Sequence, residues 1–157
     1  MKKAVYLFIT TCLITFSASA QKVAKSQIIG NWEIAAMGEE GAMADFDTGE
    51  VTVNEDWKKK NPDQDIDALK EKLKRNLEEA GPMGRFGVGL TADDKVSLQM
   101  GGETMSEGTY TLEERDGKTI FTGTPMGADV MEVTMLADGR MQWYIRGENT
   151  MLVFKKV

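Results

Sequence analysis

From residue 85 onward, apolar and polar positions alternate with a period of two, the signature of half-buried strands. Phe86, Val88 and Leu90 alternate with Arg85, Gly87 and Gly89, and Val96, Leu98 and Met100 alternate with Ser97 and Gln99. Further runs at 105–112, 119–124, 130–136, 140–146 and 150–156 are divided by Asp116-Gly117, Pro125-Met126-Gly127, Asp138-Gly139 and Gly147-Glu148-Asn149. An Asp-Gly pair between alternating runs signals a tight hairpin. The pattern predicts seven short strands in a meander. Ahead of them, Trp32, Ile34 and Ala36 alternate within an apolar run at 28–37, and Glu50-Val51-Thr52-Val53 offers a further short strand after Thr48-Gly49.

Between these regions the period changes to that of a helix. Ile66, Leu69, Leu73 and Leu77 form one narrow apolar stripe, with Glu71 and Arg75 as an exposed pair. Asn61 reads as the N-cap, Pro62 as the first helical residue, and Asp63 and Gln64 as favourable occupants of the first turn; Gly81-Pro82 reads as the stop. So narrow a stripe covers another apolar surface. The expected fold is mainly β: an up-and-down antiparallel barrel of about eight strands, with one helix between the first strand and the remaining meander. Closure removes unpaired edges, and the short turns leave little room for Greek-key crossovers.

Residues 1–20 have the three parts of an export signal: Lys2 and Lys3, an apolar stretch from Ala4 to Phe16, and Ala18-Ser19-Ala20. The stretch is shorter than the roughly 20 residues a membrane span requires. Cleavage leaves residues 21–157, expected to form a single domain that is periplasmic or secreted. Cys12 departs with the signal, so no disulfide is expected. Lys2 and Lys3 depart too, leaving 17 basic against 25 acidic residues, a net charge of −8. That balance disfavours nucleic acid and anionic membrane as partners.

Ile28-Ile29-Gly30-Asn31-Trp32, the Gly108-Thr109-Tyr110 run, and the closing Trp143-Tyr144-Ile145-Arg146 and Leu152-Val153-Phe154-Lys155 together resemble the small exported bacterial lipocalin-like proteins of the calycin superfamily. The central helix is instead similar in layout to fatty-acid-binding proteins. The resemblance implies a barrel closed at one end by the motif Trp32, adjoining Gly30, with a basic residue packed across its ring. By position that residue would be Arg146.

The chain has no histidine and, once mature, no cysteine, which removes the Ser-His-Asp and Cys-His sites and the usual transition-metal ligands. Ser26, Ser97 and Ser106 lie in no Gly-x-Ser-x-Gly elbow. No catalytic residue, cofactor or metal ligand is assigned. Asn61, Asp63, Asp65 and Asp67 imitate the start of a calcium loop, but Ile66 and Lys72 stand where it needs glycine and glutamate. Asp45, Asp47 and Glu50 read as a solvated turn, and Trp57-Lys58-Lys59-Lys60 as a solvated run before the helix rather than a membrane contact. The glycine-rich 81–89 follows a helix and lacks the phosphate-loop ending.

These features predict a monomeric binding protein holding a small hydrophobic or amphipathic ligand inside the barrel. The inward phase nominates Phe86, Val88, Leu90, Leu98, Met100, Met131, Val133, Met135, Met141 and Trp143 as the lining, with Tyr144 or Arg146 as a polar anchor. Ten methionines in the mature chain suit either an adaptable pocket or an irregular solid core. A filled barrel would indicate instead a protein-interaction or inhibitor module, and two carboxylates facing one cleft a glycan hydrolase.

Overall fold

The computed structural model describes residues 22–80, 85–124 and 130–157. The chain runs α1 (Lys25–Ile28), β1 (Gly30–Glu39), β2 (Ala42–Asp45), β3 (Val51–Val53), α2 (Glu55–Lys60) and α3 (Ile66–Ala80). Seven more strands follow: β4 (Phe86–Leu90), β5 (Lys95–Met100), β6 (Glu103–Arg115), β7 (Lys118–Gly123), β8 (Val130–Met135), β9 (Met141–Ile145) and β10 (Thr150–Lys156). Each of the seven pairs antiparallel with its sequence neighbour, and β10 returns to β1, so β1 and β4–β10 close an eight-stranded up-and-down barrel. The Gly81-Pro82 stop and the Pro125-Met126-Gly127 turn lie outside the described residues.

Closure depends on β1 serving two neighbours on one edge. Gly30–Glu33 pair with β4, Ala36–Glu39 pair with β2, and Trp32–Gly38 pair with β10 along the other edge. A bulge between Ile34 and Ala36 marks the change of neighbour. Bulges bend and twist a strand, which lets β1 leave β4 and carry the β2–β3 hairpin above the barrel wall. The carbonyl of Ala35, at the bulge, accepts from the Phe46 N–H at 2.8 Å.

The helical region differs from the expectation in two ways. The expected short strand at Glu50–Val53 is present as β3, but β2 precedes it as an additional strand, and residues 55–60 form their own short helix. Asn54 caps α2, its Oδ1 accepting from the Trp57 N–H at 2.8 Å, and Asn61 closes it by donating its backbone and side-chain N–H groups to the Trp57 carbonyl at 3.0 and 2.9 Å. Asn61 therefore ends α2 instead of starting α3, and Pro62 takes the helix-stopping position just beyond. The cap of α3 is Asp65, whose Oδ1 accepts from the N–H groups of Asp67 and Ala68 at 2.9 and 3.0 Å. Asp65→Ala is expected to cost about 1 kcal/mol of stability in urea unfolding, while Asp63→Ala on the exposed turn leaves the midpoint unchanged.

The apolar stripe of α3 behaves as its spacing indicates. Ile66, Leu69, Leu73 and Leu77 pack with Trp57 on Ala42, Ala44, Val51 and Val53, forming a second hydrophobic cluster beside the barrel core. Trp57 is buried there, and Lys58, Lys59 and Lys60 lie outside it. No helix among the described residues is long and apolar enough to cross a membrane.

Candidate ligand site

The end of the barrel carrying α1 is sealed. Val23 and Ile28 are buried in the main core, and the Val23 N–H donates to Thr119 Oγ1 at 3.1 Å. Trp32 is 1 % exposed, and its Nε1 donates to the Ile28 carbonyl at 2.7 Å, tying β1 to the plug. Lys156, its cross-strand partner, places Nζ 5.4 Å from the centre of the Trp32 ring. The basic residue across the motif tryptophan is therefore Lys156, not Arg146. Arg146 begins a 3-10 turn, Arg146–Glu148, and pairs with Glu132 on the outer wall. The glycine before the tryptophan has a geometric reason: Gly30 holds φ at +133°, and a Cβ there would come within 2.7 Å of the Lys156 Cε that crosses toward the ring.

Above this plug the interior is filled by aromatic rings. Tyr110 stacks on Phe121 at 5.2 Å between centroids, Phe121 on Trp143 at 4.9 Å, and Trp143 meets Phe154 at 4.8 Å in a tilted pair. Phe86 continues the series, 6.1 Å from Phe154. Such pairs contribute about 0.5–1.5 kcal/mol each beyond the area they bury. Val88, Leu90, Met131, Val133, Met141 and Trp143, expected as lining, all face inward and are buried among one another. They form the packed centre of the barrel and leave no exposed lining at that level.

Toward the opposite end, where the β2–β3 hairpin leaves the wall, the inward positions become partly exposed. Phe86 precedes Val88 and Leu90 in phase, Leu98 and Met100 follow Val96, Ile145 follows Trp143, and Leu152 precedes Phe154; all five remain partly exposed, as does Met37 on β1. This ring sits one layer above the Trp143–Phe154 pair. Met135 is also partly buried, but it ends β8 at the α1 end and does not join the ring. Tyr144 faces outward: its cross-strand partners are Glu132 and Met151, and its hydroxyl bonds to Asn149 Oδ1 at 3.1 Å. Neither proposed anchor, Tyr144 or Arg146, therefore reaches the interior, because strand phase places Tyr144 outside and the 3-10 turn carries Arg146 to the wall.

The polar chemistry of the described residues lies outside the barrel. Glu132 accepts from Lys118 at 2.6 Å and from Arg146, beside a cleft of about 420 Å³ bordered by Arg115, Ile120, Val130 and, at the end of β9, Ile145. Burial pulls the Glu132 carboxyl upward, yet the hydrogen bonds from Lys118 and Arg146 outweigh it and hold the group below its ordinary range. Among the described residues, no group of three or more His, Cys, Asp or Glu side chains is arranged to hold a metal ion.

Phe46 reaches the core from the β2–β3 loop, and its neighbour Asp47 fastens that loop. The Asp47 carboxylate accepts from Lys155 at 2.7 and 2.8 Å and from Arg85 at 2.5 Å, and these bonds, Lys155 foremost, hold its carboxyl below the ordinary value of 3.8. A carboxyl held low in the folded state binds protons more readily when unfolded, so the latch stabilises fully above that ordinary value and is lost as the pH falls through the lowered one. Thermal unfolding should show Asp47→Asn less stable than the parent at neutral pH, with the gap closing in acid below 3.8. A gap independent of pH would contradict the latch.

Comparison with family models, with curated protein sequences and with solved structures finds no significant match for this chain.

Proposed function

We propose that this chain is an exported lipocalin-like binding protein that takes the apolar part of a small amphipathic molecule at the open end of its barrel, without catalysis. The observation that carries this reading is the ring of partly exposed apolar side chains, Met37, Phe86, Leu98, Met100, Ile145 and Leu152, standing in the inward phase directly above a closed aromatic floor. The expected pocket is thus shallower than the full strand phase indicates, and its ligand correspondingly small. Export follows from the signal-like residues 1–20, which lie outside the described structure.

Titration of residues 21–157 with an environment-sensitive apolar fluorophore tests the site. Saturable one-to-one binding is expected, weakened at least tenfold by Leu98→Trp, which fills the mouth, and unchanged by Tyr144→Phe on the outer wall. Absence of binding by a well-folded sample would favour the second reading, a protein-interaction module with a filled core. That alternative draws support from the depth of aromatic packing below the ring.

A further inference from the structure

Deep in the barrel one donor has no partner among the described residues. Trp143 is 0 % exposed, and its Nε1 is the buried side-chain nitrogen or oxygen among the described residues that no acceptor meets. An unsatisfied buried donor is costly, and native interiors keep few of them. The contrast with Trp32 is direct, since its Nε1 is satisfied by the Ile28 carbonyl at 2.7 Å. The other polar groups close to the core are also engaged: Thr119 Oγ1 accepts from the Val23 N–H, and the Tyr110 hydroxyl donates to the Thr91 carbonyl at 2.9 Å.

Position connects this donor to the mouth. Ile145 lies two residues along β9 on the same face as Trp143, and Leu152 is the cross-strand partner of Trp143 on β10; both belong to the partly exposed ring. Trp143 therefore forms the first layer below these two side chains. Charge then narrows its chemistry. Among the described residues no charged side chain is buried: Arg146 and Lys118 face Glu132 on the wall, Arg85 and Lys155 face Asp47, and Lys156 crosses Trp32. An ionised carboxylate brought to this level would find one neutral N–H and no cation, and burying it so would be strongly unfavourable.

Resting on the reading of the barrel mouth as a ligand site, we propose that the ligand is a neutral amphiphile bearing an oxygen acceptor, a carbonyl or ether, that enters oxygen-first and accepts a hydrogen bond from Trp143 Nε1. Fatty acids in their ionised form are then poor ligands.

The test uses the mature chain with ¹⁵N-labelled indoles and three probes of equal chain length: a methyl ketone, the alkane and the carboxylate. The ketone should bind about tenfold more tightly than the alkane, the scale of one net hydrogen bond, and more tightly than the carboxylate at neutral pH. It should also move the Trp143 indole resonance downfield and leave that of Trp57 in place. Trp143→Phe should abolish the preference for ketone over alkane, and the parent's own preference and indole shift decide the matter if that variant folds poorly. Equal affinity for ketone and alkane, an unmoved Trp143 resonance on ketone binding, or preference for the carboxylate would overturn the proposal while leaving the ligand site standing. Failure of all three probes to bind a folded sample would overturn both.

Discussion

Phe121→Ala is expected to lower the unfolding free energy by about 3–5 kcal/mol, a large share of the roughly 5–15 kcal/mol that a domain usually has. Phe121 is fully buried, with Tyr110 stacked on one side at 5.2 Å and Trp143 on the other at 4.9 Å. The walls around it are hydrogen-bonded strands closed in a ring, so little can move inward to fill the space. Phe86→Ala, at the partly exposed ring, should cost distinctly less because water already reaches that side chain. Urea unfolding of the two variants separates the cases. A loss below about 1 kcal/mol for Phe121→Ala would mean that the interior is loosely filled and that the aromatic floor is not a floor.

The second large effect lies at the sealed end. Trp32→Ala removes a buried indole, its bond to the Ile28 carbonyl and the surface on which Lys156 rests, for an expected loss of about 3–5 kcal/mol. Trp32→Phe keeps most of the packing but strands that carbonyl, at about 1–3 kcal/mol. A double-mutant cycle between Trp32→Leu and Lys156→Ala should give a coupling of about 0.5–1 kcal/mol, whereas the same cycle with Arg146→Ala should give none. Coupling to Arg146 instead of Lys156 would contradict the register at the closing seam, in which Trp32 faces Lys156.

Much of this architecture is legible in the residues alone, for reasons that also mark where legibility stops. Alternation from Phe86 to Phe154 specifies which side chains face inward, and the structure keeps that phase for Val88, Leu90, Met131, Val133, Met141 and Trp143. The same alternation is written by a hollow barrel and by a packed one, so depth of filling is settled only by how the rings meet across the interior. β2 escapes a pattern reading because Ala42-Met43-Ala44-Asp45 has little strand propensity; its place comes from the bulged β1 that it follows. The helix start shifted because Asn61, Pro62 and Gln64 satisfy the rules for a beginning, while Asn61 was already committed to ending α2. Lys156 was missed in favour of Arg146 since the partner of Trp32 depends on a closing seam between the first and last strands, which no local motif encodes.

The central claim, a ligand site at the open end above a closed aromatic floor, is tested most directly by native mass spectrometry of residues 21–157. The expected spectrum shows one small neutral adduct per chain, removed by organic extraction and restored by a single equivalent of the methyl ketone probe. A folded chain that carries no adduct and takes up no probe would contradict the claim and move the function to the outer surface.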